Sequence, residues 1–276
     1  MICNTKYSNL RALFLIFSIC LFFSSCKKDI YGCIDLNADN YDSDATINDK
    51  SCIYTNLTLN FDNLVDGSAI IYGNNNFLFH NVNGTNYSVS KIKYVISDLK
   101  LYFQNDEIVQ FDEIIFFNSD NNETSSYIFN NLPGLCIGME FRFGLSAENN
   151  IDLLYINEDY NFHDLMDWPN SFGQSTSSVN QLGGYHYMQV DGRYIDDQGQ
   201  QKGYSLHTGP TNGQDFSILY PKFDFPPSAE ITLVMNINNW YDNPIHDIKP
   251  SIMDDIQTQT NLFENANNVF SIITQY

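Results

Sequence analysis

Short stretches in which apolar and polar residues alternate recur along most of this chain, and they constrain its fold more than any other feature. They cover residues 58–61, 91–97, 99–103, 140–145 and 231–237. Successive side chains of a β-strand point to opposite faces of a sheet, so each stretch suits a strand with one buried face. Asn, Asp and Gly separate the stretches and favour tight turns. The pattern predicts an antiparallel, immunoglobulin-like β-sandwich.

Helical signals are short. One covers residues 161–168, and the other covers residues 252–267 near the end of the chain. Pro250-Ser251 precedes the second signal, and Asp254-Asp255 falls in its first turn, which suits a helix start. The predicted fold class is therefore mainly β with short helical segments.

Residues 1–25 have the pattern of an export signal. Lys6 and Arg11 lead into an apolar run over residues 12–23, which is too short to span a bilayer comfortably. The run ends in Ser24-Ser25-Cys26, which resembles a bacterial lipobox. The resemblance implies cleavage before Cys26, diacylglycerol on its sulfur and palmitate, and hence a membrane anchor made of acyl chains. An ordinary signal peptide with an incidental cysteine is the alternative.

These features predict an exported lipoprotein of the outer membrane or cell surface, with the periplasmic face as the other option. The chain has 13 Lys and Arg against 33 Asp and Glu, a formal net charge of −20. So acidic a surface repels nucleic acid, which is therefore not a predicted partner.

A small module is predicted over residues 26–54, together with the lipid anchor and its tether, and a single β domain over residues 55–276. An exported chain lies in an oxidising compartment, so Cys33 and Cys52 are expected to pair, while Cys136 is expected to be buried and inert. The module resembles a short segment common in exported proteins of Bacteroidota, and the matching residues are Gly32, Cys33, Asp35, Ala38, Asn40, Tyr41, Ala45, Asp49, Ser51 and Cys52.

The same module contains three candidate calcium ligands, Asp42, Asp44 and Asp49, because Ca²⁺ prefers oxygen ligands. An acidic spacer that holds the domain away from the membrane is the alternative.

Three of the five histidines lie between residues 162 and 209. Imidazole is a common ligand of copper and zinc. Residues 185–190 alternate, which places His186 and Met188 on one face, and residues 196–200 suggest a turn. A hairpin centred between residues 196 and 197 makes His186 and His207 cross-strand neighbours, with Cβ atoms roughly 5 Å apart. Such a pair can bind one metal ion, and a hydrogen-bonded structural pair is the alternative.

The wider sequence resembles the MbnP-like family of copper-binding proteins over roughly residues 56–243. The resemblance rests on these segments, in this order: Asn60-Phe61, Ile92 to Leu101, Phe143 to Ser146, Met166 to Pro169, Gly184 to Met188, Asp191 to Tyr194 and Leu206 to Gly209. It implies an exported β-sandwich with a mononuclear copper site built from histidines.

The resemblance assigns His186 and His207 as copper ligands, with His163 as a third ligand and Trp168 beside the site. In characterised relatives a tryptophan oxidised to kynurenine completes the site, and a partner dihaem peroxidase performs the oxidation. A simply packed Trp168 is the alternative, and the polar stretch 170–178 departs from the richer tryptophan pattern of several relatives. Met188 is site-adjacent because a thioether suits Cu(I), or else it is a core methionine.

The chain contains no nucleophile elbow, zinc-protease helix motif or phosphate loop, so it is not expected to be an enzyme. The predicted function is a cell-envelope lipoprotein that binds a single copper ion for acquisition, storage or delivery. Asp164 and Asp191 are candidates to orient the imidazoles. The alternative is a surface lipoprotein that binds glycan or protein without a metal.

Overall fold

The computed structural model describes two compact units, which divide between Ile53 and Tyr54. The described residues are 28–36, 38–73, 77–168 and 184–274. The predicted signal peptide, Cys26, Pro169 and the polar stretch 170–178 lie outside these ranges. Within them, no helix has the length and apolar character needed to cross a membrane.

The first unit is held by a disulfide between Cys33 and Cys52, with Cα atoms 4.8 Å apart, and the predicted pairing is confirmed. Strands β1 (Tyr31–Gly32) and β2 (Ile47–Asn48) pair in parallel beside it. The Asn40 side chain adds a second closure of the loop, because its amide donates to the Ser51 carbonyl at 2.7 Å and its oxygen accepts from the Ile53 amide at 2.8 Å.

The predicted calcium site of this unit is not supported. Across the described residues, no three His, Cys, Asp or Glu side chains are grouped closely enough to hold a metal ion. Asp42 instead accepts a hydrogen bond from the Asp44 amide, and Asp49 accepts one from the Ser51 amide, both at 2.9 Å. These carboxylates cap turns, which explains their spacing without a bound ion.

The second unit is a β-sandwich, as the alternating pattern predicts. Its strands are β3 (Thr55–Val65), β4 (Ser68–Ala69), β5 (Phe79–His80), β6 (Asn86–Phe103), β7 (Ile108–Phe111), β8 (Ile115–Asn118), β9 (Ser126–Leu132), β10 (Cys136–Phe143), β11 (Met188–Ile195), β12 (Gln201–Thr208), β13 (Ile218–Ser228), β14 (Glu230–Asn236) and β15 (Phe270–Thr274). The α-helices are α1 (Phe162–Met166) and α2 (Ile256–Asn265), and 3-10 turns cover Asn122–Ser125, Asp159–Asn161, Ile237–Tyr241 and Ala266–Asn268.

The larger sheet is built on the 18-residue strand β6. Along one edge β6 pairs with β11 and then with β10, and along the other it pairs with β5, β8 and β7. Strand β12 continues the sheet beyond β11, and β13 continues it beyond β10. The two predicted runs 91–97 and 99–103 are thus one strand, which bends at Asp98 (φ 50°).

The smaller sheet has the order β15-β14-β3, with β9 and β4 on the far edge of β3. Every pairing between two of these strands is antiparallel except that of β3 with β14. Leu59, Phe61 and Leu233 of this sheet pack against Ile92, Tyr94 and other inward side chains of the larger one, in a single core. Cys136 opens β10 as a buried free thiol, as predicted, and burial raises its pKa.

Both predicted helices form, but α2 begins later than expected. The sequence suggests a start at Pro250-Ser251, whereas the N-cap is Asp255. Ser251 forms a bridge to Ser205 of β12, and the Pro250 carbonyl accepts from the Ser205 amide at 3.0 Å. Because these backbone groups pair with the sheet edge, they are not available to start a helix.

Candidate metal site

The segment that ends α1 pairs with the segment that leads into β11, and this pairing places the first candidate ligand. The Trp168 amide donates to the Gly184 carbonyl at 3.0 Å, and the His186 amide donates to the Met166 carbonyl at 2.7 Å. Asp167 and Tyr185 form a bridge between these two bonds. His186 therefore lies just before β11, on a short extended segment held by the C-terminal end of α1.

The buried side chain of Asn150 also holds the segment that leads into β11. Its amide donates to the Tyr185 carbonyl at 3.0 Å, and its oxygen accepts from the Gly184 and Tyr185 amides at 3.1 and 2.9 Å. A Cβ atom on Gly184 would lie 2.5 Å from the Asp152 backbone nitrogen, so the close approach requires glycine here.

The hairpin between β11 and β12 does not have the predicted register. His207 pairs with Gln189, not with His186, and the loop is centred on Gln198. The loop itself covers residues 196–200 as predicted. Asp196 sets its centre, because its side chain accepts from the amides of Gln198 and Gln200 at 3.0 and 2.7 Å.

The two histidine rings nevertheless meet. The ring centroids of His186 and His207 are 5.0 Å apart, and the rings are nearly perpendicular at 81°. Two nitrogens bound to one ion by bonds of about 2 Å lie at most about 4 Å from each other, so this separation is compatible with a shared ion. The ring of His186 reaches His207 although the two residues are not opposed in the ladder.

Hydrogen bonding fixes which nitrogen of each ring carries the proton. His186 Nδ1 lies 3.1 Å from the Met166 carbonyl oxygen, and His207 Nε2 lies 3.0 Å from Asp191 Oδ1. Both oxygens can only accept, so each of these nitrogens donates a proton. The remaining nitrogens, His186 Nε2 and His207 Nδ1, therefore present lone pairs.

These two nitrogens are buried and have no hydrogen-bond partner among the described residues. A buried polar atom without a partner is costly, and binding of an ion or a water molecule removes that cost. No hydrogen bond joins the two rings, which disfavours the alternative of a hydrogen-bonded structural pair. Burial also lowers the pKa of His186 to about 3, so this ring is neutral at physiological pH and available as a ligand.

Asp191 contacts three polar side chains near the site. It accepts from Ser205 Oγ at 2.7 Å and from His207, and its other oxygen lies 3.4 Å from Lys91 Nζ. Burial opposes its ionisation most strongly, but the bonds from His207 and Ser205 and the charge of Lys91 together hold its pKa well below the usual range. The carboxylate is thus ionised and fixes the orientation of His207.

Trp168 packs edge-on against His186, with ring centroids 4.7 Å apart and an interplanar angle of 81°. It is 1% exposed. The space for its ring depends on Gly209, because a Cβ atom there would lie 2.6 Å from Trp168 Cδ2 and Cε3. The structure therefore brings together His186, His207 and Trp168, three of the residues singled out from the sequence.

His163 is not brought into contact with either histidine. It lies in α1, and its Nδ1 is 3.0 Å from the Tyr185 hydroxyl. Met188 is fully buried in the core. Its neighbour Gln189 pairs with His207, so Met188 lies on the face of β11 opposite to that of His207. Asp164 is exposed, and no hydrogen bond between described residues joins it to His186 or His207.

Three polar residues near the site carry no recognisable motif. Gln189 donates to the Leu165 carbonyl at 2.9 Å, which ties β11 to α1, and Lys93 Nζ lies 3.4 Å from its oxygen. Gln259 of α2 donates to the His207 carbonyl at 2.8 Å. Gln189 and Asp191 are two residues apart and therefore share one face of β11, the face of His207. With the correct hairpin register, the sequence would have identified both as neighbours of His207.

The fold and the sequence agree with one family. A family model described as MbnP matches residues 54–258. The chain belongs to the MbnP family. Among solved structures, MbnP from Methylosinus trichosporium superposes with a TM-score of 0.54 at 10% sequence identity, over 80% of this chain and 99% of that one. At this identity the likeness shows a shared fold. The sequence matches no curated protein significantly.

The MbnP family is associated with copper, and the donor set of this chain fits that metal in part. Two imidazoles whose inner nitrogens are buried and unpartnered suit copper. The described residues supply no third His, Cys, Asp or Glu to the pair. The arrangement can therefore offer two nitrogen ligands whose outer nitrogens are held by Met166 and Asp191.

Proposed function

We propose that this protein binds a single copper ion through His186 Nε2 and His207 Nδ1 and serves in copper acquisition, storage or delivery. One observation carries the proposal: two neighbouring imidazoles each direct a buried, unpartnered lone pair, while oxygen acceptors hold their other nitrogens. Membership of the MbnP family supports copper as the metal. Bound copper would supply a redox-capable ion, and this chain's residues would hold and shield it.

Copper stoichiometry and affinity test this proposal. Purified mature protein is loaded with Cu(I) or Cu(II), desalted and analysed for metal, and its Cu(I) affinity is measured against a chromogenic chelator. Wild type should retain one copper per chain. His186→Ala and His207→Ala should each weaken binding by more than the roughly 10- to 100-fold typical of residues outside the ligand set. Wild-type protein that retains no copper would refute the proposal.

His80→Ala is the matched control, because His80 is an exposed histidine away from the site. It should leave copper binding unchanged. His163→Ala tests the third ligand implied by family resemblance. Since His163 Nδ1 bonds to Tyr185, we expect this variant to retain stoichiometric copper.

We further propose that the protein is exported and acylated at Cys26, and that it acts by binding and not by turnover. The lipobox-like sequence before Cys26 supports the anchor. Partition into detergent and the mass of the N-terminal peptide test it, with Cys26→Ala as the variant that should lose acylation.

The family resemblance also suggests that a dihaem peroxidase partner oxidises Trp168 to kynurenine. The edge-on packing of Trp168 on His186 is the supporting observation. The intact mass of protein purified from its native host distinguishes kynurenine from tryptophan.

The alternative of glycan binding has less support. Stacking on sugars needs rows of exposed aromatic rings, whereas the exposed aromatic side chains of the described residues are Tyr31, Tyr41, Tyr160 and Phe263, which lie on separate segments. Tyr185, Tyr187 and Tyr204 are buried in the core.

A further inference from the structure

A groove of about 400 Å³ opens where the two sheets meet at strands β7, β8 and β9. Four accessible aromatic side chains line it, Phe111, Tyr127, Phe129 and Tyr160, while Phe116 and Phe162 are 2% and 0% exposed and lie behind its wall. Phe111 of the larger sheet and Phe129 of the smaller sheet have ring centroids 4.6 Å apart, and Phe116 meets Phe162 edge-on at 5.3 Å. The groove is therefore a preformed aromatic site of a size typical for small ligands.

Three carboxylates also line this groove. Glu113, Glu158 and Asp159 are exposed, and none forms an ion pair with another residue in the described ranges. The lining contains no lysine, arginine or histidine. The groove thus combines aromatic surface with three negative charges that the described part of the protein does not neutralise.

The rim of the groove is held in a strained backbone conformation. Tyr160 and Asn161 are consecutive residues with positive φ values of 58° and 57°. The left-handed conformation is unfavourable for a bulky residue such as Tyr160, and such strain clusters at binding sites. Tyr160 is 39% exposed and follows Glu158 and Asp159 in the chain, and all three line the groove.

We propose that this groove binds a small ammonium ion that carries alkyl groups, such as a quaternary or methylated ammonium. Aromatic rings attract such cations through their faces, and alkyl groups fit an apolar lining that a strongly hydrated primary ammonium avoids. The carboxylates favour a cation over a neutral ligand of the same shape. The groove contains neither His186 nor His207, so this inference is independent of copper binding.

Choline and its neutral carbon isostere 3,3-dimethylbutan-1-ol provide a matched pair of probes. Each is titrated into the full mature protein by calorimetry at low ionic strength. We expect saturable binding of one choline per chain, binding of the isostere at least about tenfold weaker, and loss of affinity as salt screens the carboxylates. Equal affinities for the two probes, or no saturable binding of choline, would overturn the proposal.

Variants locate the binding to the groove. Phe129→Leu removes an aromatic wall, and Glu158→Gln removes a charge from an exposed position where it does not threaten folding. Each should weaken choline binding severalfold. Asp112→Asn is the control, because Asp112 is an exposed carboxylate next to the groove but not in its lining. Equal losses in Glu158→Gln and Asp112→Asn would indicate attraction by the net charge alone and would refute the assigned site.

Discussion

Removal of the Asp191 carboxylate should change which nitrogen of His207 is available to a metal. In the structure, Asp191 accepts a hydrogen bond from His207 Nε2 at 3.0 Å and leaves Nδ1 with a lone pair. In Asp191→Ala the ring loses this acceptor, and it is free to rotate or to carry its proton on Nδ1. A proton on Nδ1 blocks the nitrogen that the proposed site uses.

The expected magnitude follows from the bond that is lost. A hydrogen bond to a charged group contributes about 1.5–3 kcal/mol. Each 1.4 kcal/mol corresponds to a factor of ten in affinity, so the loss predicts copper affinity about 10- to 100-fold lower. The same range is typical for the removal of a residue that orients a metal ligand. Asp191→Asn keeps an oxygen acceptor for Nε2, so its affinity should stay within about threefold of wild type.

Two measurements check this prediction. Competition with a Cu(I) chelator gives the affinity, and long-range nitrogen–proton NMR spectra of metal-free protein give the His207 tautomer directly. Lys91→Ala is the control, since it removes only a half-exposed ion pair, at 3.4 Å, and keeps the carboxylate. Such pairs contribute about 0–1 kcal/mol. The reasoning fails if Asp191→Ala binds copper as tightly as wild type, or if its His207 keeps the proton on Nε2.

Three further predictions concern the packing of Trp168, the N-cap of α2 and the disulfide of the first unit. Gly209→Ala places a Cβ atom 2.6 Å from the Trp168 ring, so it should lower the free energy of unfolding by about 1–3 kcal/mol and shift the tryptophan fluorescence. Gly203→Ala is the control, because its Cβ atom meets no atom nearer than 4.0 Å and should change neither quantity. Asp255→Ala removes the N-cap of α2, which accepts from the Thr258 amide at 3.0 Å, and should cost about 1 kcal/mol at pH 7. The hydrogen bond from Lys249 is the main cause that lowers the pKa of Asp255 to about 2 in the folded protein, against 3.8 in the unfolded chain. The stabilisation by the Asp255 carboxylate is therefore present above about pH 4 and is lost as the pH falls towards 2. The difference in unfolding free energy between variant and wild type, measured by urea denaturation, should vanish at the low end of this range. A difference that stays constant with pH would contradict this assignment. Replacement of Cys33 and Cys52 by serine opens a loop with a sequence separation of 19 and should lower the stability of the first unit by about 3 kcal/mol. Proteolysis within residues 28–53 should then become faster. Unchanged cleavage rates would show that the disulfide is not needed for the stability of this unit.

The local parts of the fold could be predicted from the sequence because their signals are local. Alternation identifies strands such as β14 from neighbouring residues alone, and the loop over residues 196–200 is marked by Asp196 and Gly199. Cysteine spacing in an exported chain likewise predicts the bond between Cys33 and Cys52. Each of these inferences depends on residues within about twenty positions of one another.

The hairpin register could not be predicted because it depends on which loop amides bond to Asp196, and the helix boundary could not be predicted because it depends on a distant contact. The hairpin centre at Gln198 follows from side-chain bonds inside the loop, and it pairs His207 with Gln189. The late start of α2 follows from the pairing of Pro250 with Ser205, 45 positions away in the chain. A prediction that assumed opposed histidines reached a contact that does exist, but through the wrong pairing.

The difference between a ligand pair and a structural pair is set by residues that are not histidines. If either inner nitrogen carried a proton, it would donate to the other ring, and the two histidines would form a buried hydrogen bond without a metal. Met166 prevents this for His186 and Asp191 prevents it for His207, because each draws the proton to the outer nitrogen. Two buried lone pairs then remain, and neither can satisfy the other. A bridging cation satisfies both at once, as does a water molecule that donates to each ring, and it is membership of the MbnP family that favours copper.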